Sequence, residues 1–150
     1  MYGVRYPEAA RERLARDGIA YGGWLPNHEA PDVFARHKVT IHVPRRPYLE
    51  SLPGVPTIRP FEALACGIPL ISARWDQTAG LFTPGTDFLV ARDGDEMTAQ
   101  LRDLIADPER RRQLANHGLA TIRARHTCAH RVDELLAICD SISTPQMEAL

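Results

Sequence analysis

No apolar run in the 150 residues approaches the roughly 18–20 that a membrane-spanning helix requires. The opening Met1-Tyr2-Gly3-Val4-Arg5 holds no apolar stretch of the kind that marks a secretory signal. Cysteine is scarce. Cys66, Cys128 and Cys139 make an odd number with no C-x-x-C spacing, which argues against a disulfide framework or a zinc ribbon. The expectation is free, mostly buried thiols and a cytoplasmic protein. An excess of one charge is missing too. Eighteen Lys and Arg against 19 Asp and Glu leave a net charge of −1, unlike a strongly basic nucleic-acid or membrane binder. Neither G-x-x-x-x-G-K-[ST] nor G-x-G-x-x-G occurs, so nucleoside triphosphatase and nicotinamide-cofactor chemistry lack support.

What is present is ordinary globular composition, with 44% hydrophobic and 25% charged residues. The length suits one domain. Charge is uneven: residues 1–75 sum to +3 and residues 76–150 to −4, which favours the first half for an anionic ligand. Short β-rich runs alternate with helical stretches up to about residue 95, and the rest is helical.

Pro7 to Asp17 is predicted as a helix ended by Gly18, with Leu14 and Ala15 as apolar anchors. Strands are predicted at Ile19–Tyr21, Lys38–Val43, Ile68–Ser72 and Phe88–Val90. Asn27 is placed as the cap of a helix near Ala30–His37, with Val33 and Phe34 pointing inward. A Pro-rich loop spans Arg45–Pro56, and a helix from about Thr57 to Ala65 stops at Gly67. Asp93 and Glu96 match a capping box ahead of Met97, Leu101, Leu104 and Ile105. Asp107-Pro108 opens a helix burying Leu114, Leu119 and Ile122. Thr127 opens the last helix, with Val132, Leu135, Leu136 and Cys139 on one face. The fold class is therefore α/β: a Rossmann-like parallel sheet flanked by helices, with an all-helical C-terminal segment. Such sheets bind ligands beyond the carboxyl ends of their strands, which selects the loops 22–29, 44–57 and 73–85.

Glu62 stands out, because Phe61, Ala63, Leu64 and Ala65 around it are apolar. A carboxylate set there needs a partner or hydrogen-bond donors. A sugar diol would supply two donors; an ion pair with Arg59, three residues earlier, is the structural alternative. Arg45 and Arg46 follow a predicted strand and suit phosphate oxygens, with a solvated loop as the alternative. Trp24 follows the Gly22-Gly23 turn, either as a nucleobase platform or as a packing aromatic. Gln77 to Gly80 offers backbone amides or an ordinary connection. The six histidines, His28, His37, His42, His117, His126 and His130, show no metal-ligand spacing on one helix face. No metal and no cofactor is expected. Ser51, Ser72 and the cysteines lack a nucleophile context, and Arg110-Arg111-Arg112 is a solvated face.

The run Phe61-Glu62-Ala63-Leu64-Ala65-Cys66-Gly67-Ile68-Pro69-Leu70-Ile71 resembles the nucleotide-binding signature of GT-B-fold glycosyltransferases. In the retaining branch this is the second half of an E-x7-E motif followed by A-x-x-x-G-x-P. Arg59-x-Phe61-Glu62-Ala63-Leu64-Ala65-Cys66-Gly67 is similar, more narrowly, to CgeB-like, spore-maturation transferase domains. So are Phe82-x-Pro84-Gly85, Asp107-Pro108-Glu109-Arg110, His117-Gly118, His126-Thr127 and His130-Arg131-Val132. The resemblance implies that this half binds a nucleotide diphosphate sugar. Glu62 would bond the ribose hydroxyls, amides near Thr57 and Ile58 the diphosphate, and Arg59, Arg45 and Arg46 its charge. Gly54 occupies the position of the first Glu of the motif, so the carboxylate expected beside the donor sugar is missing.

These features lead to an expected glycosyltransferase domain over residues 1–140, with a frayed tail at 141–150. It would lack an N-terminal acceptor domain, which a further polypeptide or self-association would supply. The acceptor is undefined by the sequence. A non-catalytic nucleotide-sugar binding module and a nucleotide-sugar epimerase are the alternatives. No nucleic-acid partner is expected.

Overall fold

The computed structural model describes residues 1–44, 50–52, 57–75 and 80–143. The chain divides into two compact units, Met1–Arg36 and His37–Leu150.

In the first unit, helix α1 spans Glu8–Arg16. It ends as a Schellman motif. Gly18 takes φ +70, its N–H bonds the Ala15 carbonyl at 3.1 Å, and the Ile19 N–H bonds that of Leu14 at 2.8 Å. The predicted anchors are weak, since no α1 residue is fully buried. The segment Ile19–Tyr21 is not a strand. It lies beside Met1–Gly3 instead: Gly22 N–H bonds the Met1 carbonyl and Gly3 N–H the Gly23 carbonyl, both at 2.8 Å. Left-handed Gly23 (φ +68) and Gly3 (φ +156) interrupt extended backbone on both sides, so the pairing does not grow into a ladder. Asn27 does not cap a helix. It opens a 3-10 turn, Asn27–Glu29, leading into α2, Ala30–Ala35, which buries Val33 and Phe34.

The second unit carries a parallel sheet of β1 (Thr40–His42), β2 (Leu70–Ala73) and β3 (Leu89–Ala91), in that order. Thr40 pairs with Leu70, His42 with Ser72, and Ile71 with Leu89. Helix α3 (Ile58–Ala65) makes the crossover between β1 and β2. It too closes on a Schellman motif. Gly67, at φ +65, bonds the Leu64 carbonyl at 3.1 Å, and Ile68 bonds that of Ala63 at 3.2 Å. The glycine thereby turns the chain straight into β2.

Helix α4 (Gly94–Ala106) begins at the predicted Asp93 cap. Asp93 Oδ1 accepts from the Glu96 N–H at 2.9 Å. The reciprocal bond reaches one residue further out, to the Arg92 N–H. Ile71, Leu89, Ala91, Leu104 and Leu114 form a buried core, with Val39, Met97 and Leu101 packed against it. Ile105 does not join it and is 52% exposed. At 100° per residue it lies about 100° beyond Leu104, off the stripe that faces the sheet.

Asp107 ends α4 and caps α5 (Pro108–Arg125), accepting from the Arg110 N–H at 2.9 Å. Arg111 closes the preceding end by bonding the Leu104 and Ile105 carbonyls. One aspartate thus governs two helix termini. Asp107→Ala is expected to cost about 1 kcal/mol, the usual value of an N-cap, read from denaturant unfolding.

At the start of helix α6 (Cys128–Ser143) the Thr127 N–H donates to His130 Nδ1 at 3.4 Å, and the Thr127 hydroxyl lies 2.7 Å from the same nitrogen. Its expected apolar face is not buried. Val132, Leu135, Leu136 and Ile138 are each more than half exposed. Amphipathic spacing specifies a helix but not what covers it. The thiols are also exposed, all three of them, rather than buried. Cys66 sits at the solvent-facing end of α3, and Cys128 and Cys139 lie on this uncovered helix.

Candidate functional site

Parallel pairing puts the last residue of β1 beside the third residue of β2, so His42 and Ser72 are cross-strand neighbours. Both are buried. The amino end of α3 returns to the same carboxyl edge, because a βαβ crossover begins where its first strand ends. Thr57 holds the N-cap position in extended conformation (φ −76, ψ 165), yet its hydroxyl does not cap the helix. It lies 2.8 Å from His42 Nε2 instead.

The remaining bonds fix the proton positions. The Ser72 hydroxyl donates to the Ala73 carbonyl at 2.8 Å. Having one proton, it must accept from His42 Nδ1, 2.9 Å away. The ring is then the Nδ1–H tautomer, and Nε2 accepts from Thr57. Burial, and to a smaller degree the charge of Arg59, lower the pKa of His42 from 6.5 to about 4.

Thr57, Ile58 and Arg59 bring backbone N–H groups to the first turn of α3, while Pro60 has none. Pro60, Ala63 and Leu64 are buried on its inner side. Glu62 sits at the margin. Arg59 Nη1 lies 3.1 Å from Glu62 Oε2, and the Glu62 side chain is 26% exposed. That Oε2 is closed off from solvent and, among the described residues, makes no hydrogen bond of good geometry. Although Cys66 is exposed as a residue, partial desolvation of its thiol and, after that, the Glu62 charge raise its pKa.

The residues that place α3 come from far along the chain. Phe61 meets Phe82 edge-on with centroids 5.0 Å apart, and His126 at 5.3 Å. His126 Nε2 donates to the Leu81 carbonyl at 2.8 Å. Behind α3, helix α5 passes so close that a Cβ on Gly118 would lie 2.6 Å from Leu64 Cδ2. Asp87 is buried there. Its carboxylate accepts from the Thr83 N–H at 2.7 Å and the Thr121 hydroxyl at 2.8 Å.

A family model described as "Glycosyl transferase-like" matches residues 1–137. The chain belongs to the glycosyl transferase-like family. Its GT-B-type fold is similar to that of Anabaena Alr3699/HepE, whose structure is in complex with UDP and glucose; the TM-score is 0.73 at 16% identity. The same protein in complex with UDP-glucose matches equally, with a TM-score of 0.73 and 16% identity. Sucrose-phosphate synthase (tll1590) from Thermosynechococcus elongatus matches with a TM-score of 0.67 at 19% identity. The alignments cover 89% of this chain and 36% of HepE, and 95% of this chain and 38% of the synthase. Curated proteins give no match to the sequence.

In this glycosyl transferase-like chain, the structure gathers four of the predicted site residues on α3 and its cap: Thr57, Ile58, Arg59 and Glu62. Ile58 is 66% exposed, so its side chain takes no part in the core. Arg45, Arg46 and Gly54 lie outside the described residues, as do residues 77–79 of the 77–80 segment. Trp24 belongs to the first unit and is 71% exposed, so it is not the half-buried packing aromatic that the sequence suggested as an alternative. His42 and Ser72 were weighed in sequence only as a metal ligand and a nucleophile, and were set aside. The signal for them was two polar residues, Ser72 after buried Leu70 and Ile71 and His42 after Ile41, at or next to the ends of two short strands. Among the described residues no group of three or more His, Cys, Asp or Glu is placed to hold a metal ion. Among those residues, too, no helix is long and apolar enough to cross a membrane.

Proposed function

We propose that this chain is the donor-binding part of a glycosyltransferase, holding a nucleotide diphosphate sugar at the carboxyl edge of the sheet. The observation that carries it is the amino end of α3. A helix start without a side-chain cap, flanked by Arg59 and Glu62, stands beyond β1 and β2 in a chain of this family. Helix N–H groups attract phosphate oxygens. The leaving diphosphate would gain charge as the glycosidic bond breaks, and the amides and Arg59 would stabilise it. Glu62 would accept from ribose hydroxyls, exchanging its contact with Arg59 for two donors.

The chain spans 36% of HepE, so the acceptor side would come from further polypeptide. That extent also keeps a non-catalytic nucleotide-sugar binding module as a second reading. Transfer measured with and without an added acceptor domain separates the two.

Calorimetric binding across uridine, guanosine, thymidine and adenosine diphosphate sugars tests the ligand class. Glu62→Ala is expected to weaken the ligand that binds by at least about 1 kcal/mol, the scale of a charge-assisted hydrogen bond. Unchanged affinity would remove Glu62 from the site.

A further inference from the structure

We propose that Thr57, His42 and Ser72 form a hydrogen-bond relay that reverses direction when a phosphate group of the donor binds at the amino end of α3. This rests on the donor site proposed above.

Without ligand the relay runs inward. Thr57 donates to His42 Nε2, His42 Nδ1–H donates to Ser72, and Ser72 donates to the Ala73 carbonyl. Each group has one proton to give, so no link can turn around alone. A phosphate oxygen only accepts at this position. To bond it, the Thr57 hydroxyl must point its proton outward, which strips buried Nε2 of its donor. An unpaired polar atom in such a place is costly.

The relay holds its own remedy. With the ring proton on Nε2, His42 donates to Thr57 Oγ1, and Nδ1 accepts from Ser72, whose hydroxyl leaves the Ala73 carbonyl. The proton count is the same before and after: one on each of the three groups. The ring gives up its Nδ1 proton to water and takes one from water on Nε2, with no net uptake. Imidazole is the side chain that can donate from either nitrogen while accepting at the other. The neighbours keep it neutral. The charged group acting on the ring is Arg59 of α3, itself paired with Glu62, while β2 presents the uncharged Ser72. With its pKa near 4, tautomer rather than charge is what can change at neutral pH. The relay also accounts for a threonine at an N-cap that does not cap: its hydroxyl is held by the ring. His42 is thus a positioning residue, acting through Thr57.

The test is long-range 1H–15N spectroscopy of the 15N-histidine-labelled full chain at pH 7, alone, with UDP-glucose and with inorganic pyrophosphate. Binding is followed in parallel by calorimetry. The free chain should show His42 as neutral Nδ1–H, and either bound probe should turn it to neutral Nε2–H. Thr57→Ser should keep the change and Thr57→Val abolish it, a contrast that a packing role would not produce. A bound probe that leaves Nδ1–H in place, or that yields a doubly protonated ring, overturns the relay alone. If pyrophosphate turns the ring and UDP-glucose does not bind, the relay stands and that donor is ruled out. If neither probe binds, and no guanosine, thymidine or adenosine diphosphate sugar binds either, both the relay and the donor site are overturned.

Discussion

Lowering the pH from 7 to 4 is expected to remove about 3 kcal/mol of folding stability through His42 alone. The unfolded ring takes a proton below the ordinary 6.5, whereas the folded ring resists until about pH 4. Between these values the unfolded state binds more protons, so acid favours unfolding. The contribution is complete above pH 6.5, falls away progressively down to pH 4, and changes no further below. The cause is burial of the ring and, to a smaller degree, the charge of Arg59, both of which disfavour the protonated form. Denaturant unfolding at half-unit pH steps measures the slope. His42→Gln removes the ionisation, so the difference between wild type and variant isolates it from other groups. A wild-type stability equal at pH 4.5 and pH 7, or a slope that survives in the variant, would refute this assignment.

Gly118→Ala is expected to destabilise the chain by about 2 kcal/mol, within the range for overpacking a tight contact. Helix propensity alone predicts the opposite, since alanine gains up to about 1 kcal/mol over glycine inside a helix. Sterics decides the sign. The new Cβ would lie 2.6 Å from Leu64 Cδ2 and 2.9 Å from the Asp87 carbonyl oxygen. Leu64 can rotate only within a fully buried site. The Asp87 backbone cannot retreat without straining the bonds its carboxylate accepts from Thr83 and Thr121. At roughly 2–4 °C per kcal/mol for a chain of this size, the melting temperature should fall by about 4–8 °C. Combining Gly118→Ala with Leu64→Ala gives a double-mutant cycle. The pair should cost less than the sum of its parts, because truncating Leu64 removes the closer clash and leaves the carbonyl contact. A single variant at least as stable as wild type would show that α3 and α5 can separate freely.

These effects belong to different levels of information. The ends of α3, α4 and α5 were legible in the sequence, because Gly67, Asp93 and Asp107 act on backbone groups within a few residues of themselves. The β2 strand was legible because a short apolar run between a glycine stop and a loop suits a buried parallel strand. The strand predicted at Ile19–Tyr21 failed where its pairing depended on a three-residue partner broken by glycine. Local propensity carries no information about that partner.

The candidate site divides in the same way. Glu62 announced itself as a carboxylate among apolar neighbours, and the ion pair with Arg59 that i, i+3 spacing permits is formed at 3.1 Å. By itself the sequence determined the α/β alternation, the ends of α3, α4 and α5 and the family signature around Glu62, since each rests on short-range spacing. Only the tertiary structure decided that His42, Ser72 and Thr57 share hydrogen bonds, and that Gly118 is the point where two helices touch. His42 and Ser72 are 30 residues apart and His42 and Thr57 are 15 apart. What joins them is the parallel register of β1 with β2 and the return of α3 to their carboxyl edge. Register is set by the packing of whole faces against a core, so no window of neighbouring residues contains it.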